Sequence, residues 1–167
     1  MKEKRLLILG AGQYGMVVKE TAEAMGVFEK ISFLDDSNPI ALGKLADYEA
    51  FLGTYRYAFV AMGNPTLRAQ WLERLETAGF WLPVLIHPRA YVSASAVLGK
   101  ATIAEAMTVV NTAAVVEKGT LLCAGCIVNH NAHIASCCQI DCGAVVAAGA
   151  SVPGSTKVPS GTVYERK

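Results

Sequence analysis

The stretch 104–128, AEAMTVVNTAAVVEKGTLLCAGCIV, decides the fold, because its apolar residues recur at every sixth position. The repeat extends in both directions, and twelve of its thirteen positions hold branched aliphatic residues. The positions are Ile86, Val92, Leu98, Ala104, Val110, Val116, Leu122, Val128, Ile134, Ile140, Val146, Val152 and Val158. A helix repeats about every 3.6 residues and a strand about every two, so neither produces a period of six.

A second regularity accompanies the first, because the residue two places before a repeat position is small. These small residues are Ala90, Ala96, Thr102, Thr108, Ala114, Thr120, Cys126, Ala132, Cys138, Ala144, Ala150 and Thr156. A parallel β-helix explains both patterns, since three short strands make one triangular turn and each hexapeptide supplies one inward aliphatic residue. The small residue fits a tight corner. The sequence therefore predicts a parallel β-helix over residues 85–167.

The composition excludes several classes of partner. The net charge is only +1 and no block of basic residues occurs, which argues against a nucleic-acid partner. No apolar run approaches the roughly 18 residues of a membrane span. The apolar stretch after the basic start is short and runs directly into a glycine motif, unlike a signal peptide. These features predict a cytoplasmic protein without a membrane partner.

The five cysteines are all in the repeat region: Cys123, Cys126, Cys137, Cys138 and Cys142. Cys123 and Cys126 have the spacing of a redox or metal-binding motif. A second pair at metal-binding spacing does not follow, however, and Cys126 and Cys138 occupy the small position of the repeat. A free cysteine behaves there as a small apolar residue. We therefore expect structural thiols and no metal.

Residues 1–84 show a different pattern, in which predicted strands alternate with predicted helices. The predicted strands are 5–9, 31–34, 57–62 and 81–86, and the predicted helices end near Met25 and near Ala78. Asn64 and Pro65 are typical of the first residues of a helix, and Gly79 is typical of its end. This alternation predicts a small Rossmann-like domain with a parallel sheet.

A glycine motif lies between the first predicted strand and the first helix. Gly10, Gly12 and Gly15 have the spacing of a dinucleotide-binding loop, and Asp35 follows the third glycine by twenty residues. Such glycines permit a tight turn and close approach of a phosphate to the helix N-terminus. A full NAD-binding unit needs about twice this length, so we expect a half-sized domain that holds one nucleotide. Two alternatives are that the glycines serve only the turn and that Asp35 and Asp36 form a solvated turn.

The two domains in this order resemble the bacterial sugar O-/N-acyltransferases. The resemblance rests on the glycine motif, on Phe33-Leu34-Asp35-Asp36, and on Ile86-His87-Pro88 at the start of the repeats. That family includes sialic acid O-acetyltransferases and acetyltransferases of nucleotide-linked 4-amino sugars. The resemblance implies a left-handed β-helix, a homotrimer, acetyl-CoA as acyl donor, and an N-terminal domain that binds a nucleotide-linked sugar, with a UDP-sugar expected. The matching binding positions are Gly10, Gly12, Tyr14, Gly15, Asp35, Asp36, Gly63 and Asn64.

The chemistry implied by the resemblance is acyl transfer from a thioester to an amine or a hydroxyl. That reaction needs a base, for which a histidine is well suited, and donors for the developing oxyanion. The family places its catalytic histidine in a stretch of the form Ile-x-His-Asp/Glu-Cys. This chain has Ile134-Ala135-Ser136-Cys137-Cys138 there, so Ser136 stands in the position of the histidine.

Two nearby histidines are then the candidate bases. His130 follows the repeat residue Val128 by two, which is the catalytic register on a different face of the β-helix. His133 directly precedes Ile134 and should point outward near a corner. The alternative is that both are surface or interface histidines. Three functions follow: an acetyltransferase that uses one of them, a non-catalytic trimeric protein that binds a nucleotide sugar, or an oxidoreductase, which the short first domain disfavours.

Overall fold

The computed structural model describes residues 4–166 of the chain. By its internal contacts the chain divides into two compact units, Met1–Pro83 and Val84–Lys167. The first unit is a small parallel α/β domain and the second is a parallel β-solenoid. Both architectures are those that the sequence predicts.

The α/β unit contains a parallel sheet of three strands. They are β1 (Arg5–Leu9), β2 (Lys30–Leu34) and β3 (Tyr57–Val60), in the order β2-β1-β3. The residues Leu6 to Leu9 of the central strand are completely buried. A parallel sheet covered on both faces requires such a continuous apolar run, because neither side of the strand meets water.

Two α-helices follow strands β1 and β3. They are α1 (Gln13–Met25) and α2 (Pro65–Ala78). The side chain of Asn64 caps α2 by accepting the backbone N–H of Leu67 at 2.9 Å, and Gly79 ends the helix in the left-handed conformation. Both ends of α2 are therefore as predicted. A short 3-10 helix, Leu45–Phe51, precedes β3 and is not part of the prediction.

The predicted fourth strand, 81–86, is wrong. Trp81 forms only an isolated bridge to Tyr57, and the next strand, β4 (Leu85–Ile86), pairs with Ile103–Ala104 of the solenoid. Pro83 lies between these two segments and has no N–H to donate to a ladder of hydrogen bonds. The apolar run therefore divides at the proline, and its second part begins the other unit.

The solenoid is built from two-residue strands. After β4 they are β5 (Tyr91–Val92), β6 (Val97–Leu98), β7 (Ile103–Ala104), β8 (Val109–Val110), β9 (Val115–Val116), β10 (Leu121–Leu122), β11 (Ile127–Val128), β12 (His133–Ile134), β13 (Gln139–Ile140), β14 (Val145–Val146), β15 (Ser151–Val152), β16 (Lys157–Val158) and β17 (Val163–Tyr164). They form three parallel sheets, in the orders β16-β13-β10-β7-β4, β17-β14-β11-β8-β5 and β15-β12-β9-β6. Each strand pairs with the equivalent strand of the next coil, as Leu121 pairs with Gln139.

The second residue of each strand points into the solenoid and the first points outward, because side chains alternate along a strand. The inward repeat residues from Ala104 to Val158 form a buried core. The small residues of the repeat belong to the same core, as Ala114 and Ala132 do, so they line the inside of each corner. Thr108 is also buried, and its hydroxyl donates to the carbonyl oxygens of Leu122 and Cys123, at 3.4 and 3.3 Å.

From Ala101 onward, each corner has one residue with a left-handed backbone, three places before the inward residue of the next strand. Glycine fills five of these corners, at Gly119, Gly125, Gly143, Gly149 and Gly161. Other residues fill six: Ala101, Met107, Ala113, Asn131, Cys137 and Ser155. A side chain at such a backbone angle costs about 1 kcal/mol or more.

Within residues 4–166, no helix has the length and apolar character that crossing a membrane requires.

Candidate functional site

The glycine motif forms the loop between β1 and α1. Gly10 has a φ of +103°, and a Cβ there would lie 2.9 Å from the carbonyl oxygen of Ala61. A Cβ at Gly15 would clash with the carbonyl oxygen of Gly10. These two glycines are thus required by the turn and by the close packing of α1 against it.

Gly12 is different, because nothing lies within 4 Å of a Cβ placed on it. Its φ of −75° and ψ of −169° are open to any residue, so the fold does not require glycine here. Gly12 is the N-cap of α1, and no side chain caps this helix end. The alternative that the glycines serve only the turn therefore explains Gly10 and Gly15 but leaves Gly12 unexplained. An uncovered helix N-terminus without a side chain over it suits a phosphate group.

Asp35, at the end of β2, holds this loop in place. Its Oδ2 accepts the backbone N–H of Ala11 at 2.7 Å, and its Oδ1 accepts the N–H groups of Ser37 and Asn38, both at 2.9 Å. Asn38 returns a bond from Nδ2 to the carbonyl of Ala11 at 2.6 Å. These backbone donors lower the pKa of Asp35 from 3.8 to about 2. The ionised carboxylate of Asp35 therefore holds the glycine loop and the loop after β2 together.

The other predicted binding residues lie at the same carboxyl edge of the sheet. Asp36 is exposed, and its Oδ1 accepts the N–H of Leu45 at 3.0 Å. Tyr14 is in the first turn of α1, while Gly63 and Asn64 follow β3. The fold brings all eight predicted positions to one edge, where open parallel sheets bind their ligands.

Arg68 supports this edge, and the sequence analysis misses it. The side chain lies on the buried face of α2 and donates from Nη1 to the carbonyls of Met62 and Gly63, at 2.6 and 3.0 Å. An arginine among the apolar positions of a helix is the signal that points to it, because a buried charge needs hydrogen-bond partners. It orders the turn that carries Gly63 and Asn64.

A cavity of about 580 Å³ in the same unit is separate from the glycine loop. Its lining includes Arg5, Arg56 and Trp81, and the guanidinium of Arg56 stacks 3.9 Å from the ring centre of Trp81. Arg5 begins β1 and Arg56 precedes β3, so this cavity lies at the amino edge of the sheet. The predicted binding residues are at the opposite edge.

In the solenoid, His130 lies at an exposed corner after β11. Its Nδ1 is 3.0 Å from Nδ2 of Asn131, a neighbour in sequence. Asn129 accepts a bond from Asn111 of the preceding coil at 3.2 Å, so polar residues stack along this corner. The contacts of His130 are those of a surface histidine.

His133 has a carboxylate partner. It is the outward residue of β12, in the strand itself and not at a corner, and its Nε2 lies 2.9 Å from Oε1 of Glu117 in the preceding coil. Oε2 of Glu117 accepts the hydroxyl of Ser136 at 2.7 Å and the backbone N–H of Ser136 at 3.0 Å. The structure thus joins His133 and Ser136 through one carboxylate, and His130 is not part of this group.

Glu117 is absent from the sequence-based site. The hydrogen bond from Ser136 is the largest influence that lowers its pKa, with a smaller one from His133, while partial desolvation opposes them. Its signal in the sequence is the position one coil before Ala135, which places it beside Ser136. A histidine against an ionised carboxylate is a common arrangement for a general base.

Cys123 and Cys126, the pair with the spacing of a redox or metal-binding motif, are not suited to either chemistry. Cys126 is buried in the solenoid core, and desolvation raises its pKa to about 12. Burial also raises the pKa of Cys123. Protonated thiols are poor nucleophiles and poor metal ligands. Among residues 4–166, no group of three or more histidine, cysteine or acidic side chains is placed to hold a metal ion.

Comparison with known proteins agrees with both halves of this architecture. Residues 5–75 match the PglD N-terminal domain. The chain is 32% identical over 112 residues to UDP-N-acetylbacillosamine N-acetyltransferase of Bacillus subtilis (strain 168), a match over 62% of this chain. The match spans 52%, about half, of the length of that curated relative.

Solved structures cover nearly the whole chain. The acetyltransferase domain of PglB from Neisseria gonorrhoeae FA1090 is 30% identical, with a TM-score of 0.86 over 98% of this chain and 92% of that one. Its complex with acetyl coenzyme A is 31% identical, with a TM-score of 0.84 over 96% and 87%. PerB from Caulobacter crescentus, in complex with CoA and GDP-perosamine, shares the fold at 23% identity and a TM-score of 0.82, over 96% and 88% of the two chains. Taken with the glycine loop and the solenoid, these matches show that the chain belongs to the bacterial sugar N-acetyltransferase family.

Proposed function

We propose that this protein transfers the acetyl group of acetyl-CoA to the amine of a nucleotide-linked amino sugar, with His133 as the general base. The observation that carries the proposal is the 2.9 Å contact of His133 with Glu117 on the outside of the solenoid. Support comes from the likeness, over 96% of the chain, to a solved acetyltransferase domain in complex with acetyl coenzyme A.

In this reaction the acceptor nitrogen attacks the carbonyl carbon of the thioester, so a C–N bond forms and the C–S bond breaks. His133 takes the proton that the amine loses and can return it to the departing thiolate. We favour His133 over His130, because His133 lies beside the carboxylate of Glu117 and His130 lies beside an amide. The carboxylate would stabilise the imidazolium that forms when the histidine takes a proton. Cysteine chemistry is not required for any of these steps.

The corner beside His133 is the proposed position of the acyl-CoA substrate. Ser136 is followed one coil later by Gly154 and Ser155, which are small and exposed. Small corner residues leave space along the outside of the coil for an extended pantetheine arm. This supports donor binding at the same corner as the base.

We assign the nucleotide of the acceptor to the glycine loop. Gly12 leaves the N-terminus of α1 uncovered for a phosphate, and exposed Asp36 is available to a donor group of the ligand. Asp35 serves mainly to hold the loop. Tyr14, Gly63 and Asn64 border the same edge and complete the proposed site, which is expected to take a UDP-sugar. Acetyl-CoA and nucleotide sugars occur in the cytoplasm, which is where we place the reaction.

We further propose that the protein works as a homotrimer. The outward residues of one solenoid sheet form an unbroken apolar row: Tyr91, Val109, Ile127, Val145 and Val163. The two ends of this row, Tyr91 and Val163, are 57% and 59% exposed. A continuous apolar face of this kind is typical of a protein–protein interface.

The experiment that tests the function measures CoA release and acetylated product from acetyl-CoA with UDP- and GDP-linked 4-amino sugars. Transfer to at least one of them is expected. The other candidate is a non-catalytic nucleotide-sugar-binding protein, and the observation that favours it is Ser136 and Cys137 at the positions where the resemblance implies a histidine and an acid. Tight binding of the nucleotide sugar without any acetyl transfer would establish that candidate instead.

A further inference from the structure

The cavity at the amino edge of the α/β sheet is lined by two arginines from neighbouring strands. Leu6 of β1 is in register with Tyr57 of β3, so the residues just before them, Arg5 and Arg56, also lie side by side. Side chains alternate along a strand, and both arginines therefore project from the same face of the sheet. Both of them line the cavity of about 580 Å³. The register of the sheet thus brings two positive charges to one concave surface.

Trp81 holds Arg56 in place. The guanidinium carbon of Arg56 lies 3.9 Å from the centre of the indole ring. The backbone N–H of Trp81 donates to the carbonyl of Arg56 at 2.9 Å, and the N–H of Ala58 donates to the carbonyl of Trp81 at 3.0 Å. A guanidinium stacked on a ring keeps its N–H donors at its edge, where they match the oxygens of an anion. The stacking therefore orders Arg56 and leaves its donors available to a ligand.

The rest of the cavity lining is uncharged. Among the described residues that line it, none is acidic, Thr54 supplies a hydroxyl, and Leu52 and the ring of Trp81 supply apolar surface. Leu52 and Trp81 are 40% and 56% exposed, so this apolar surface is open to a ligand. The end of α2 also borders the cavity, and its last carbonyls already accept backbone N–H groups of the turn that follows. Positive charge beside apolar surface fits an anion that carries an apolar group, and the cavity volume is typical of small-molecule sites.

We propose that this cavity binds a phosphate monoester, with the phosphate on Arg5 and Arg56 and its apolar group against Leu52 and Trp81. A phosphate monoester carries about 1.5 to 2 negative charges near pH 7, which matches two guanidinium groups, whereas a carboxylate carries a single charge. Each guanidinium has several N–H donors, so both arginines can bind the phosphate in addition to their contacts within the protein. The site lies at the edge of the sheet opposite the glycine loop, and it does not depend on the proposed acetyl transfer.

The first test follows the indole N–H signals of the two tryptophans, Trp71 and Trp81, by 1H–15N NMR while the full chain is titrated with phenyl phosphate. Trp81→Phe assigns the two signals. The Trp81 signal should shift and saturate, while the signal of buried Trp71 stays in place. Inorganic phosphate, which lacks the apolar group, and benzoate, which carries one charge, should each bind about tenfold more weakly. A Trp81 signal that shows no saturable shift, or equal affinity for either of these two probes, overturns the proposal.

The second test replaces the arginine and measures the affinity for phenyl phosphate by calorimetry. Arg56 is exposed, so Arg56→Gln should fold and should bind phenyl phosphate about tenfold more weakly or worse. Arg74→Gln is the matched control, because Arg74 also stacks on a tryptophan, 4.8 Å from the ring centre of Trp71, and does not line this cavity. It should leave the affinity unchanged. Wild-type affinity in Arg56→Gln, or an equal loss in Arg74→Gln, would show that the cavity does not hold the anion.

The third test distinguishes this cavity from the glycine loop, which is also proposed to bind a phosphate. Gly12→Ala should leave the affinity for phenyl phosphate within about twofold of the wild type, because the loop is at the opposite edge of the sheet. Arg56→Gln should likewise leave the affinity for the nucleotide sugar within about twofold. Loss of phenyl phosphate binding in Gly12→Ala, with wild-type binding in Arg56→Gln, would place the probe at the glycine loop and overturn the second site.

Discussion

Asp35 Oδ2 accepts the backbone N–H of Ala11 at 2.7 Å, across 24 residues of chain. This bond ties the end of β2 to the glycine loop after β1, so the shape of the proposed nucleotide-binding edge depends on one ionised carboxylate. Stability of the α/β unit and order at its proposed binding site are therefore linked through the same residue.

The Asp35 clamp makes stability depend on acid pH. The folded pKa of Asp35 is about 2, below its ordinary value of 3.8, so its contribution is present above pH 4 and is lost as pH falls through 2. Asp35→Asn should lower the free energy of unfolding at pH 7 by about 1 kcal/mol, given that solvent screens the group. Urea unfolding between pH 2 and pH 7 should show this difference shrinking toward acid pH. A difference that is constant over the range contradicts the account. Asp36→Asn, which keeps an amide oxygen able to accept the single backbone bond from Leu45, should have a smaller effect.

The glycine motif should separate into structural and binding positions. Gly15→Ala should lower the free energy of unfolding by about 3 kcal/mol, because its Cβ would meet the carbonyl oxygen of Gly10. Gly12→Ala should cost under about 1 kcal/mol, since its Cβ would enter open space. We nevertheless expect Gly12→Ala to weaken binding of the nucleotide sugar at least tenfold by calorimetry. Unchanged affinity in stable Gly12→Ala protein would remove the loop from the binding site.

The corners of the solenoid should respond to backbone strain alone. Gly143 has a φ of +67° and open space around its Cβ position, so Gly143→Ala should cost about 1 kcal/mol. Ala113 has a φ of +56°, and Ala113→Gly should stabilise the protein by up to about 1 kcal/mol. Chemical denaturation of both variants measures these changes. Changes of the opposite sign would mean that strain does not govern these corners.

The apolar row on the solenoid should control assembly. Ile127→Lys places a charge in the middle of the row and should convert the proposed trimer to single chains, as measured by light scattering. Met107→Lys is the matched control, because Met107 is 65% exposed at a corner outside the row and its replacement should leave the trimer intact. A wild type that is a stable monomer contradicts the assembly, and a trimer that survives Ile127→Lys places its interface elsewhere.

The sequence predicts the parts of the fold that depend on periodicity. The spacing from Ile86 to Val158 determines which side chains enter the core, so the solenoid follows from sequence alone. The predicted strand 81–86 is wrong because an apolar run does not show that Pro83 divides it between two units. The sequence predicts the small residues at corners, and the structure shows that they also line the core.

The candidate site is harder to predict, because its contacts cross between coils. His133 is visible in the sequence, but its partner Glu117 is 16 residues away and becomes adjacent only once the coil length is known. Arg68 is similarly inconspicuous, since its partners are backbone carbonyls that any sequence would supply. Periodicity places a side chain on a face, whereas the hydrogen bonds that give it a chemical role depend on rotamers.

The measurement that tests the central claim most directly is acetyl transfer by wild type, His133→Ala and His130→Ala, with acetyl-CoA and nucleotide-linked 4-amino sugars. The account predicts transfer by the wild type, a fall in kcat of about 100-fold to 10,000-fold in His133→Ala, and nearly wild-type rates in His130→Ala. Full activity in His133→Ala, or loss of activity confined to His130→Ala, would contradict it.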